Sequence, residues 1–239
     1  MLTEANRFAT APQFGANLLA PGRTHFALWA PDCARVMLEI EGGESIPMHA
    51  EGGGRFATEA ACGAGTAYRF RVRPDLTVPD PAARQQAADV HGWSLVVDPA
   101  AYAWRHPGWT GRPWHEAIIL ELHVGTTGGF AGVEQALGGI AELGVTAVEL
   151  MPVADFPGRR NWGYDGVLMY APDRAYGTPE ELKRLIDTAH GLGLMVLLDV
   201  VYNHFGPDGN YLGAYASAFF QADAATPWGT AINFRRPEV

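Results

Sequence analysis

Asp199, Tyr202, Asn203 and His204 follow directly on the apolar run Leu194–Leu198 and precede the turn Gly206-Pro207-Asp208-Gly209. A carboxylate, a phenol, an amide and an imidazole, placed where a hydrophobic strand leaves the core, can bind and orient hydroxyl groups. In a parallel α/β barrel the C-terminal strand ends line the active-site mouth, so apolar-then-polar is the order in which a barrel strand delivers functional side chains. The structural alternative is that the Asp and His merely cap the next turn.

A second group lies upstream, in Asn161-Trp162-Gly163-Tyr164-Asp165-Gly166. Sugars present apolar C–H faces ringed by hydroxyls, and a site for them combines flat aromatic faces with carboxylates and amides. Trp162, Tyr164 and Asp165 supply both kinds of contact. The competing reading is a loop anchored to the core by its aromatics.

These groups need elements to hold them. Ile118–Val124 reads as a strand, and Val133, Ala136, Leu137, Ile140, Ala141 and Leu143 then recur at helical spacing before Gly144 stops the helix. Val145–Leu150 is a second strand. Thr178-Pro179-Glu180-Glu181 opens a second helix with a capping box and a proline at the first helical position, and Leu182, Leu185, Ile186 and Ala189 form its buried face. Leu194–Val200 is a third strand. The series is β-α-β-α-β, with parallel crossovers expected. Met151–Gly177, which carries the aromatic loop, is far longer than an ordinary connection and is expected to be functional.

Residues 24–73 have a different period. Phe26, Leu28 and Ala30, then Val36, Leu38 and Ile40, then Tyr68, Phe70 and Val72 alternate with their neighbours, as in strands buried on one face. Glycine clusters at 42–43, 52–54 and 63–65 punctuate them at the spacing of an antiparallel sandwich. The stripe Arg69, Arg71 and Arg73 reads as a solvated sheet face rather than an anion site. From Pro74 to Pro113 the pattern dissolves into prolines and the tryptophans Trp93, Trp104 and Trp109, a linker packed between two domains.

The 239 residues are 48% hydrophobic and 18% charged, as in a soluble globular protein. Lys plus Arg number 17 against 26 Asp plus Glu, for a net charge of −9, which argues against a nucleic-acid partner and suits a neutral polar substrate. Met1–Phe8 has no basic segment followed by an apolar one, and no long apolar run follows, so a cytoplasmic protein without a membrane partner is expected. Cys33 and Cys62 lack metal-site or redox spacing and are expected to be buried free thiols.

Asp199–His204 resembles the first signature region of the α-amylase family of glycoside hydrolases, and Gly144–Pro152 resembles its second-strand signature. The longer strings Glu149–Gly166, Tyr202–Tyr211 and Thr226–Phe234 are similar to the branch that cleaves an α-1,4 bond beside a terminal trehalose unit. The resemblance implies an immunoglobulin-like β-sandwich with its linker over residues 1–107, then the first part of a (β/α)8 TIM barrel over 108–239. It further implies an α-glucan substrate, with Tyr164 as the platform under the sugar at the cleavage subsite and Asp199 and His204 ordering that subsite. Asn203 matches a position that binds calcium in some relatives, but the branch is metal-independent, so neither metal nor cofactor is expected. The loop after the first strand, Gly125–Phe130, is shorter than the family's usual one.

Retaining cleavage needs a carboxylate nucleophile and a carboxylic acid. In this family both come from the fourth and fifth strands, so no catalytic residue is expected here. A closed barrel takes roughly 250 residues, and after Phe234 the segment Arg235–Val239 departs from the relatives. A chain truncated after the third barrel strand, and inactive alone, is the expectation. A branching or debranching relative and a non-catalytic glucan-binding module stand as alternatives.

Overall fold

The structure is a computed structural model and describes residues 13–239; Met1–Phe8, read above for a leader, lies outside them. The first half contributes β1 (Gly15–Ala20), β2 (Arg23–Trp29), β3 (Met37–Ile40), β4 (Ser45–Pro47), β5 (His49–Gly52), β6 (Arg55–Ala60), β7 (Ala67–Arg73), β8 (Leu76–Val78) and β9 (Ser94–Leu95). They form two antiparallel sheets, β1-β2-β6-β5 and β4-β3-β7-β8, with β9 also paired to β7. Phe26, Leu28 and Phe56 of one sheet and Leu38, Tyr68 and Phe70 of the other share one buried core. Phe26 and Tyr68 meet across it edge to face, centroids 4.8 Å apart.

Alternation holds on β7, where Tyr68, Phe70 and Val72 are buried and Arg71 and Arg73 exposed. It fails on β2, whose Ala27 and Trp29 are buried as well as Phe26 and Leu28, so the expected single buried face is corrected to two. The arginine stripe is no freely solvated face either. Glu39 of β3 is buried and ion-paired to both Arg69 and Arg71, and the Arg69 guanidinium lies 4.1 Å from the Trp93 ring centroid. Cys33 and Cys62 are free but only partly buried.

The second half contributes β10 (Ile119–Leu122), α1 (Gly129–Glu142), β11 (Ala147–Leu150), β12 (Ala154–Asp155), β13 (Leu168–Pro172), α2 (Pro179–Gly191), β14 (Met195–Leu198), β15 (Phe220–Thr226) and β16 (Gly229–Ile232). Strands β10, β11 and β14 form a parallel sheet in that order, as the apolar runs and helical spacings predict. The expected helix at Val133 begins earlier, at Gly129, directly after a 3-10 turn over Val124–Thr127. Thr178 caps α2: its hydroxyl accepts from Glu181 N, and Glu181 accepts from Thr178 N. A cap of this type contributes about 1 kcal/mol. Leu185 and Ala189 of α2 pack with Phe130, Val133 and Leu137 of α1 over Val148 and Leu150 of β11. No described helix is long and apolar enough to cross a membrane.

Met151–Gly177 is not an open loop, because β12 and β13 pair antiparallel inside it. Asp155 and Asp173 are both buried there. Burial, and for Asp155 the neighbouring Asp173 charge, push both carboxyls upward, Asp155 to about 8.

Contacts at several points bind the halves together. Asp187 of α2 is fully buried and accepts from the backbone of Arg105 and His106, from the Arg105 guanidinium and from the Tyr102 hydroxyl. Burial opposes its ionisation, but these donors prevail and hold the carboxyl well below the usual range. Leu212, Tyr215 and Ala216, which follow β14, complete the core of the first two sheets, and Asp32 accepts from Ser217 N at 2.6 Å. The first half therefore buttresses the segment that leaves the third parallel strand.

Candidate active site

The parallel sheet delivers its polar groups at the C-terminal ends of its strands. Asp199 follows β14, and its backbone N–H donates to Leu150 O of β11, continuing the ladder one residue past the strand. The Tyr164 hydroxyl donates to Asp199 Oδ2 at 3.2 Å. Partial desolvation first, then the Asp199 hydrogen bond and charge with Glu121 and Glu149 behind it, raise the Tyr164 hydroxyl above the ordinary phenol value, which keeps it a donor.

His204 Nε2 lies 3.0 Å from the Tyr164 carbonyl. That oxygen can only accept, so Nε2 carries the proton. Nδ1 lies 3.2 Å from Asn203 Oδ1. On the other loop, Asn161 Nδ2 donates to Asp165 Oδ2 at 3.0 Å while Asn161 Oδ1 accepts from Gly163 N at 2.7 Å. A Cβ at Gly163, where φ is +104°, would sit 2.2 Å from Pro152 O, so only glycine fits that turn.

Three of the six residues expected to bind substrate, Tyr164, Asp199 and His204, are thus linked by hydrogen bonds across two loops, while Asp165 is held by Asn161 within its own loop and Asn203 lies beside His204. The sixth, Trp162, stands 77% exposed beside Tyr164, which is 38% exposed. Both rings face solvent. A cavity of about 420 Å³ opens beside His204, walled by Trp29, Tyr170, Phe205, Phe219 and Phe234.

Trp228, at the tip of the β15–β16 hairpin, was not singled out by sequence reasoning. Its ring stacks on His204 with centroids 5.3 Å apart and planes 21° apart, and it is 62% exposed. Its sequence signals were the turn Pro227-Trp228-Gly229 and its place in the string Thr226–Phe234. Glu121 and Glu149 also escaped notice; they lie opposite each other in register on β10 and β11.

Chemically, the arrangement offers aromatic faces, fixed donors and acceptors to a neutral polyol. Glycosidic hydrolysis needs two carboxyl groups flanking the bond. Here Asp199 and Asp165 already accept from Tyr164 and Asn161. Among the described residues no three His, Cys, Asp or Glu side chains are grouped to hold a metal ion.

A parallel sheet with polar groups at its strand ends and an aromatic mouth defines an α-amylase-type barrel segment. The α-amylase catalytic-domain family matches residues 86–224, and the chain belongs to that family. Over 231 residues it is 41% identical to malto-oligosyltrehalose trehalohydrolase of Deinococcus radiodurans, and over 225 residues it is 41% identical to the same-named protein of Saccharolobus solfataricus. These matches cover 95% and 92% of this chain but 38% and 40% of the relatives, so the chain spans about two fifths of their length. Among solved structures, a protein described as an alpha amylase from Salmonella typhimurium superposes with a TM-score of 0.92 at 48% identity, covering 95% of this chain and 39% of the other. Pullulanase of Anoxybacillus sp. LM18-11, in complex with maltotetraose, superposes with a TM-score of 0.80 at 25% identity, covering 98% of this chain and 43% of the other.

Proposed function

We propose that this chain is the glucan-binding part of an α-amylase-family trehalohydrolase, acting on the α-1,4 bond beside the terminal trehalose of maltooligosyl trehalose. In this reading residues 1–107 are an immunoglobulin-like β-sandwich with its linker and residues 108–239 the first part of a (β/α)8 barrel. Tyr164 stacks under the sugar, Trp162 and Trp228 extend the aromatic surface, and Asp199, His204, Asn203 and Asp165 hold hydroxyls or the loops that present them. The observation that carries it is the linkage of Tyr164 to both Asp199 and His204, which joins two strand-end loops around one exposed ring.

The chain alone binds glucan without cleaving it, because the nucleophile and acid of a retaining glycosidase are supplied by later strands of the barrel. Titration with maltotetraose, with and without the Tyr164→Ala substitution, tests the binding. Incubation with maltooligosyl trehalose tests the rest: trehalose released by the purified chain would refute this division of labour.

A further inference from the structure

We propose that His123 is the positioning residue of this mouth: its imidazole, together with the Tyr176 hydroxyl, grips the Asn161 carbonyl and so sets the loop that carries Trp162 and Tyr164. The link from loop position to sugar affinity rests on the function proposed above; the grip itself does not.

Three separate pieces of chain meet at one oxygen. His123 directly follows β10, Tyr176 lies between β13 and α2, and Asn161 opens the aromatic loop. His123 Nε2 is 2.6 Å from Asn161 O, and the Tyr176 hydroxyl donates to the same oxygen at 3.2 Å. The tautomer follows from the other ring nitrogen. Thr126 N–H donates to His123 Nδ1 at 3.1 Å, so Nδ1 is an acceptor and Nε2 carries the proton.

The surroundings fix both rings. Tyr176 is 4% exposed and meets Phe130, Phe156 and His123 edge-on. A Cβ at Gly125 would come within 2.8 Å of the Tyr176 ring and 2.9 Å of the His123 ring, so glycine is what lets the chain pass beneath them. Burial, then the Asp173 charge, push the Tyr176 hydroxyl up to about 12, which keeps it a donor.

From Asn161 the restraint spreads. Its side chain holds Gly163 N and Asp165 Oδ2, and between them stands Tyr164, whose carbonyl His204 grips. No ladder pairing holds residues 157–166, so these contacts are the loop's principal fastening. His123 acts through the loop and needs no contact with sugar.

The two ring nitrogens do different work, and two substitutions separate them. In His123→Gln the amide N–H takes the place of Nε2 and still reaches Asn161 O. In His123→Asn the amide oxygen takes the place of Nδ1 and still caps the Val124–Thr127 turn, but the donor to Asn161 is lost. The test is hydrogen exchange on the 239-residue chain, paired with maltotetraose titration. We expect His123→Asn to speed exchange over residues 157–167 by about tenfold while peptides from α1 and α2 stay protected, and His123→Gln to keep most of the loop's protection. Maltotetraose affinity should fall in the Asn variant and recover in the Gln variant.

Loop protection kept in His123→Asn, or lost equally in both variants, overturns the proposal. Should both variants unfold, Tyr176→Phe decides, since it removes only the second hydroxyl donor: about threefold faster loop exchange supports the grip, and unchanged exchange refutes it. A wild-type chain that fails to bind maltotetraose would sink the functional reading while the exchange arm still judged the grip.

Discussion

His204 Nε2 donates to the backbone carbonyl of Tyr164 across 3.0 Å, so a residue on the loop after the third parallel strand holds the main chain beneath an aromatic ring on the loop after the second. The two mouth loops are one unit. Gly206 N donates to Gly166 O, and a Cβ at Gly206 would lie 2.1 Å from Asp165 O. Gly206→Ala should therefore force the loops apart and weaken maltotetraose binding by about tenfold or more, a loss of about 1.4 kcal/mol. Calorimetric titration checks this; unchanged affinity would show that the loops bind independently.

Tyr164→Ala removes the ring and should weaken maltotetraose binding by about tenfold with little change in melting temperature, whereas Tyr164→Phe keeps the face and should cost less. The ring is exposed, so its truncation opens no core cavity. Large thermal destabilisation with normal affinity in the Ala variant would make Tyr164 a core anchor instead.

Stability should fall with rising pH through the Asp155–Asp173 pair. Asp155 Oδ2 is buried and has no hydrogen-bond partner, and burial with the neighbouring Asp173 raises its pKa to about 8. A carboxyl held above its unfolded value of about 3.9 binds its proton more tightly when folded. Its stabilisation is therefore full below about pH 4, is lost as pH climbs toward 8, and is level beyond. Melting curves from pH 5 to 8.5 should show this decline in the wild type and a flatter profile in Asp155→Asn, whose amide stays neutral. Equal slopes would assign the decline to other groups.

Asp187→Asn should loosen the linker. The carboxylate collects donors from Tyr102, Arg105 and His106, and limited proteolysis of the variant should open new cuts between Pro99 and Pro113. Because the folded carboxyl titrates well below the ordinary range, the difference from wild type should be full at neutral pH and narrow only in acid, well below about pH 4. Identical digestion patterns at pH 7 would show the linker is held elsewhere.

Much of this fold was legible because its signals are local. The capping box at Thr178–Glu181, the apolar runs ending at Leu150 and Leu198, and the alternation of Tyr68, Phe70 and Val72 each sit within a few residues. What escaped depends on long-range pairing. The second buried face of β2 and the ion pairs of Glu39 come from chain that packs on from elsewhere. The β12–β13 pair, two and five residues long, is too short for periodicity to reveal. At the mouth, the residue types of Tyr164, Asp199 and His204 announced themselves, while Trp228 reached His204 only because a hairpin folds back, and His123 reads in sequence as an ordinary strand end.

The most direct test of the account is titration of the 239-residue chain with maltotetraose, followed by heteronuclear NMR of the tryptophan side chains. Saturable binding is expected, with shifts concentrated at Trp162 and Trp228, little change at Trp93 and Trp109, and no trehalose formed from maltooligosyl trehalose at saturation. Shifts spread evenly over all tryptophans, no binding at all, or trehalose released by the chain alone would contradict it.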